Sequence, residues 1–297
     1  MRYIVLVFLV LLSCAQDTKT LPSCTGQKSE LIFVVDDVLW EGPLKALIVN
    51  VFADEIPGIN QPEPLFRIIQ VNHKEFKSVL RTHTNVVIVS ERKNPLVEEN
   101  KWAQDQYVAE IGWHSNVQNF INELLELRSV FVFKEVDFIR KNFLTKSQTN
   151  SEQERKSFFG VDCIIPQEYE ILNNTANFFW ANYNPSKSEE IKNIFTFSFI
   201  SHSTAKHEEV LRKTDSLFTR HLKGAKKGTY VTIEPEYEPY YSDNIYRGLW
   251  KLENGFMGGP FIIKSYSLGN KTIVNAGLVF APQSTKRKYI KEFEAIL

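Results

Sequence analysis

A chain of 297 residues with 43% hydrophobic and 24% charged residues can bury a sizeable core as one large or two medium domains, which excludes a disordered chain or a staple-dependent scaffold. Its 35 Lys and Arg balance its 35 Asp and Glu, so no global field draws it to nucleic acid or to an anionic surface. With only three cysteines, it has no disulfide framework.

Met1-Arg2 precedes an apolar run, Tyr3 to Leu12, and then Ser13-Cys14. A cation, a short hydrophobic segment and a small residue at the break make an export signal over residues 1–13. The run is too short to span a bilayer as a helix. Leu11-Leu12-Ser13-Cys14 resembles a bacterial lipobox, which makes Cys14 the expected site of lipidation and the first mature residue. The polar stretch up to Glu30 reads as a lipidated tether over residues 14–30.

An N-terminal lobe is expected over residues 31–145. Leu31 to Val35 reads as a buried strand, and Val38 to Phe52 as an amphipathic helix with Gly42-Pro43 near its start. Ile56 to Pro64 carries three prolines and a glycine and must be an ordered loop. A strand at 66–71, a short helix at 74–82, and strands at 85–89 and 102–113 follow. Residues 115–144 are helical by apolar spacing, although Val130 to Phe133 favours β structure. Residues 145–156 are polar and mark the boundary.

The second lobe, 157–297, has expected strands near 159–165, 177–183 and 194–201 and a helix over 206–222. Asn254-Gly255 between two β-like runs is a hairpin signal, and Gly269-Asn270 supplies the next turn. The expected class is α+β: two lobes of mostly antiparallel sheets with packed helices, ending in a three-stranded meander and a terminal helix over 285–297.

Candidate chemistry is sparse. Met257-Gly258-Gly259-Pro260 opens a strand after a turn, so a bulge or edge strand outweighs a phosphate loop, which needs a helix behind it. His202 and His207 are five apart and do not share a helix face, and no metal site or cofactor is expected. Cys24 and Cys163 could pair in an oxidising compartment. Glu234, Glu236 and Glu238 alternate as on one edge of an extended segment, where a solvated edge outweighs a calcium site. Asp36-Asp37 more simply caps the next helix than acts in catalysis. The basic runs Lys223 to Lys227 and Lys286-Arg287-Lys288 read as solvated faces. Tyr237, Tyr240, Tyr241 and Trp250 crowd one stretch and form the candidate ligand platform, weighed against core packing of the alternating Tyr246, Gly248, Trp250 and Leu252.

Several stretches together carry a family resemblance. They are Val35-Asp36 to Trp40, Pro57 to Phe66, Thr82 to Asn85, Lys101-Trp102-Ala103 with Gln106, Arg247-Gly248-Leu249-Trp250, Phe256 to Phe261, Phe280-Ala281-Pro282 and Lys286 to Tyr289. In these the chain resembles the Bacteroidetes-type envelope lipoproteins of domain-of-unknown-function family 4837. Gly255 stands where that family more often has an acidic residue, and the segment before Ile245 is short. The resemblance implies an exported, lipid-anchored bacterial protein and carries over no catalytic residue.

The features converge on a cell-envelope protein of unknown molecular function. It would be tied to the membrane, the outer membrane being favoured, through Cys14, and would act as a non-enzymatic module binding an envelope protein, peptide or glycan. The alternatives are a hydrolase of envelope polymers using Asp36, Asp37 or Glu234, and a structural subunit of an envelope complex.

Overall fold

The computed structural model describes residues 20–92, 94–113, 116–201 and 206–297. Cys14, His114 and His202 lie outside them. Two sheets form the framework. The smaller has five strands, β1 (Glu30–Val34), β2 (Arg67–Val71), β3 (Asn85–Ser90), β4 (Leu96–Glu99) and β5 (Tyr107–Gly112), in the order β2-β1-β3-β5-β4. Pairings β1–β2, β1–β3 and β3–β5 are parallel, and β4 runs antiparallel to β5. Phe33 faces a core under the helices, while Ile32 and Val34 face a smaller cluster with Phe76 and Val108. Burial on both faces is why β1 reads as an unbroken apolar run.

The helix expected over 38–52 is broken. Helix α1 (Asp37–Leu39) passes into a wide turn, Trp40–Leu44, and α2 (Lys45–Phe52) resumes after it. Gly42, with φ −85° and ψ −143°, leaves helical geometry immediately before Pro43. By contrast α3 (Val117–Leu144) runs unbroken for 28 residues through the β-favouring Val130–Phe133 stretch. Phe120, Leu124, Leu127 and Phe131 recur on its buried side, so tertiary burial overrides local propensity. Residues 22–29, expected within the tether, dock on the smaller sheet: Gln104 N–H donates to Pro22 O (2.8 Å) and Thr25 N–H to Thr82 O (2.8 Å).

Residues 145–156 also depart from expectation. They largely form helix α4 (Thr149–Phe159), on which Arg155 is fully buried and donates to Val161 O at 2.7 Å. The apolar run 159–165 is not a strand; it closes over the last helix through Ile164 N–H to Ile296 O (2.8 Å).

The larger sheet comprises β6 (Glu170–Asn174), β7 (Phe178–Tyr183), β8 (Ile191–Ile200), β9 (Tyr230–Ile233), β10 (Tyr240–Ser242), β11 (Ile245–Glu253), β12 (Gly258–Leu268) and β13 (Lys271–Phe280). Its order is β10-β11-β12-β13-β8-β7-β6, with β9 also on β11 and every pairing antiparallel. The β11–β12–β13 meander is as expected. Gly258 to Pro260 pair only with β11, and the β13 ladder begins at Phe261, so Pro260 blocks no pairing with β13.

Helix α5 (Lys206–His221) covers one face, contacting a core with Phe195, Phe261 and Val274. Helix α6 (Lys286–Ile296) covers the other through Tyr289, Ile290, Phe293 and Ile296. It lies so close to β13 that a Cβ on Gly277 would sit 2.4 Å from the Phe293 ring. Lys286 is buried rather than on a solvated face, its ammonium donating to Ala281 O (2.7 Å) and Ser284 O (2.6 Å). The whole is α+β, antiparallel pairings outnumbering parallel ones. Among the described residues no helix is long and apolar enough to cross a membrane.

Candidate functional site

The loop between α2 and β2 joins the two halves. Its arms pair through Ile56 N–H to Glu63 O (3.0 Å) and Leu65 N–H to Asp54 O (2.8 Å), making a compact projection. Gly58 at its tip has φ +80°, and a Cβ there would lie 2.5 Å from the Arg247 carbonyl oxygen. Glu63 then reaches the start of α6 and accepts from the backbone N–H groups of Lys286 (2.6 Å) and Arg287 (2.9 Å). The N-cap residue Thr285 makes no side-chain cap, so a carboxylate more than two hundred residues away satisfies those donors and sits favourably at the positive end of the helix dipole.

Beside this loop α3 runs from the smaller sheet onto α6. Arg140 Nη1 donates to Ala295 O (2.8 Å), and Glu135 meets Lys291 Nζ at 2.6 Å. The Lys291 ammonium also donates to Ser29 Oγ (2.9 Å) and Leu65 O (3.2 Å), over the Phe66 ring at 4.5 Å. Its side chain is 3% exposed and that of Glu135 8%. Burial lowers the Lys291 pKa, with Glu135 opposing, so desolvation outweighs attraction at this junction.

Between α3 and the loop on one side, and β10, β11, β12 and α6 on the other, lies a cleft of about 800 Å³. Phe133, Val132 and Val136 form the α3 wall; Tyr240, Ile245 and Arg247 form the opposite one. Four basic and four acidic residues line it, so it selects no net charge. Arg247 places Nε 3.0 Å from Glu294 Oε1, and Arg128 lies 3.5 Å from Asp54. Lys264 donates to Glu294 O at 2.7 Å, holding a carbonyl of the last turn of α6, and burial lowers its pKa against the pull of Glu294.

The expected aromatic platform is divided by strand alternation. Tyr240 opposes Arg247 and lines the cleft, whereas Tyr241 opposes Tyr246 and points to the α5 face. There it meets the Tyr246 ring at 4.7 Å and His207 at 4.1 Å. Burial, before the neighbouring Tyr241, pushes the Tyr246 pKa up to about 12. Tyr237 is exposed in the turn before β10. Trp250 is only 5% exposed, its indole N–H donating to Val279 O (3.1 Å), and it lines a separate cavity on the α5 face.

The remaining candidates stay apart. Asp37 accepts from Gln70 Nε2 at 2.9 Å beside the smaller sheet, and Glu234 pairs with Lys251 at 3.3 Å on the larger. Neither the cleft nor the cavity behind Trp250 is lined by Asp36, Asp37 or Glu234. The three glutamates do not share a strand edge, because residues 234–237 turn through Tyr237 N–H to Glu234 O (3.4 Å). Cys24 and Cys163 are both free, the latter buried, with its thiol pKa raised by burial. Among the described residues no group of three or more His, Cys, Asp and Glu is placed to hold a metal ion.

Sequence reasoning passed over Glu63, Phe133, Glu135, Lys264 and Lys291. Lys291 carried a signal: it sits in an amphipathic helix among Tyr289, Ile290 and Phe293, where a lysine needs a partner.

Comparison with known proteins locates the chain. No curated protein matches it. The human StarD13 (DLC2) lipid transfer and protein localization domain is similar at 8% identity, over 50% of this chain and 95% of that one, with a TM-score of 0.22, too low to bear on fold or function. The family model Domain of unknown function (DUF8532) matches residues 24–143, where the earlier stretches of the resemblance fall. The model Domain of unknown function (DUF4837) matches residues 147–297, which contain the meander, α6 and one wall of the cleft. The chain therefore belongs to the DUF4837 family.

Proposed function

We propose that this is a lipid-anchored bacterial cell-envelope protein working as a non-enzymatic binding module, which holds an extended segment of a partner protein in the cleft between its two sheets. The cleft of about 800 Å³, with walls from both halves, carries the reading. Strand β10 is an edge of the larger sheet and borders the cleft, so an added strand can continue the ladder while side chains enter from alternate positions. Phe133, 66% exposed on the opposite wall, offers an aromatic anchor. The balanced charge of the lining suits a mixed peptide better than a polyanion.

Replacing Phe133 and Tyr240 together by alanine should cut partner recovery after in-cell crosslinking about tenfold or more. Both side chains are exposed, so the stability change should stay within about 0.5 kcal/mol per site. Undiminished recovery would exclude the cleft; a bound glycan with no protein partner would redirect the reading to sugars.

The anchor is tested separately. Two or more acyl chains hold a protein stably at a membrane, whereas one is marginal. Cys14→Ser should abolish fatty-acid labelling and move the protein to the soluble fraction. Unchanged labelling would sink the lipoprotein assignment.

A further inference from the structure

On the α5 face, away from the cleft, a cavity of about 250 Å³ opens between the end of α5 and strands β7, β8, β11 and β13. Its walls are apolar and aromatic, formed by Trp180, Trp250, Leu252, Met257 and Phe280. Three asparagines, Asn182, Asn184 and Asn193, also line it, and the last stands out. Asn193 is 6% exposed, and its Oδ1 accepts from both Trp180 Nε1 (2.9 Å) and Asn182 Nδ2 (2.9 Å). Two donors converging on one atom fix the orientation of the amide, since the flipped rotamer would set nitrogen against nitrogen. The Asn193 NH₂ is therefore the other end, and Nδ2 is not one of the sealed, partnerless side-chain atoms among the described residues, so its hydrogens are open to the cavity. A ligand oxygen entering the cavity would take the place of water on this donor.

The surroundings define the ligand class. No carboxylate lines the cavity, which removes the counter-charge for a cation. The cations are also committed: Lys223 donates to Thr219 O and lies over the Tyr230 ring at 5.5 Å. His221 is stacked on Phe178 at 4.5 Å, and burial, with Arg220 and Lys223 nearby, lowers its pKa. We propose that this cavity is a second binding site, for a compact, uncharged, ring-bearing molecule whose carbonyl or hydroxyl oxygen accepts from Asn193 Nδ2. The volume lies just below the usual range for small-molecule pockets, which fits a ligand smaller than a drug-sized one. This site is independent of the cleft.

Three small probes sharing a ring separate the terms: acetophenone has an acceptor carbonyl, ethylbenzene has none, and benzoate is charged. Each is titrated into the ¹⁵N-labelled full chain while the indole N–H signals of Trp180 and Trp250 are followed. Acetophenone should shift both indole signals and bind about tenfold more tightly than the other two, the scale of one net hydrogen bond. Asn193→Asp, in mildly alkaline buffer, keeps an acceptor for Trp180 and Asn182 and removes the NH₂. It should abolish the acetophenone preference while leaving the unliganded Trp180 signal dispersed, which reports that the fold is kept. Met257→Trp should fill the cavity and block all three probes. Equal binding of acetophenone and ethylbenzene, an unchanged preference in Asn193→Asp, or no binding of any probe would each overturn the proposal.

Discussion

Lys291→Met should destabilise the protein by about 3–5 kcal/mol, read as a lower urea midpoint with an unchanged slope. The cost comes less from the lost attraction than from Glu135, left buried with only Ser29 Oγ donating to it at 2.6 Å. Glu135→Leu should also destabilise, but by less, because the ammonium keeps Ser29 Oγ and Leu65 O as acceptors. Because burial outweighs the attraction in setting the Lys291 pKa, replacing both partners, Lys291→Met with Glu135→Leu, should return stability to within about 1 kcal/mol of the parent. A sign for pH follows. The folded-state pKa lies below the ordinary 10.5, so just under that value the unfolded chain binds more protons than the folded one. The Lys291 contribution to stability therefore rises with pH through that window, and the difference between parent and Lys291→Met should widen there. Single variants costing less than about 1 kcal/mol would mean that water reaches the pair.

Phe52→Ala should cost a comparable 3–5 kcal/mol, for a different reason. Phe52 is fully buried and meets Phe33 at 5.3 Å, Phe66 at 6.2 Å and Phe131 at 6.5 Å, all edge-on. These rings come from α2, β1, the residue just before β2 and α3, so one truncation opens a cavity where the layers of the smaller half meet. Phe66 also lies beneath the Lys291 ammonium. The loss should therefore weaken the junction, and thermal unfolding should move as one transition. Phe133→Ala, on the exposed side of α3, is the control and should leave the midpoint within about 0.5 kcal/mol. If Phe52→Ala behaved like the control, the core would not be packed as described.

What the chain discloses about itself depends on the range of the signal. Strands β1, β3, β7 and β8, helix α5, the meander and α6 follow from local periodicity and turn residues, and each lies close to its expected place. Helix α4 was hidden because its sequence is polar and, before Phe159 at its end, its buried anchor is an arginine, whose aliphatic stem packs while its head finds a carbonyl. The run 159–165 has strand composition but serves as a cover over α6, a role that no local rule encodes. Strand β6 was missed because it is polar and bulged between Ile171 and Asn173. The cleft was illegible for a further reason. Its walls come from residues 54–57, 128–136, 240–247, 264 and 290–294, which only the folded topology assembles. Alternation of Tyr240 and Tyr241 was readable, but the occupant of each face was not.

Site-specific photocrosslinking in living cells tests the binding reading most directly. A photoreactive phenylalanine analogue is placed at Phe133 on the cleft wall and, as a control, at Val79, which is 64% exposed on a short helical turn of the smaller half. The account predicts a discrete protein adduct from position 133, diminished by Tyr240→Ala, and none from position 79. No adduct from either position, or the same adducts from both, would contradict it.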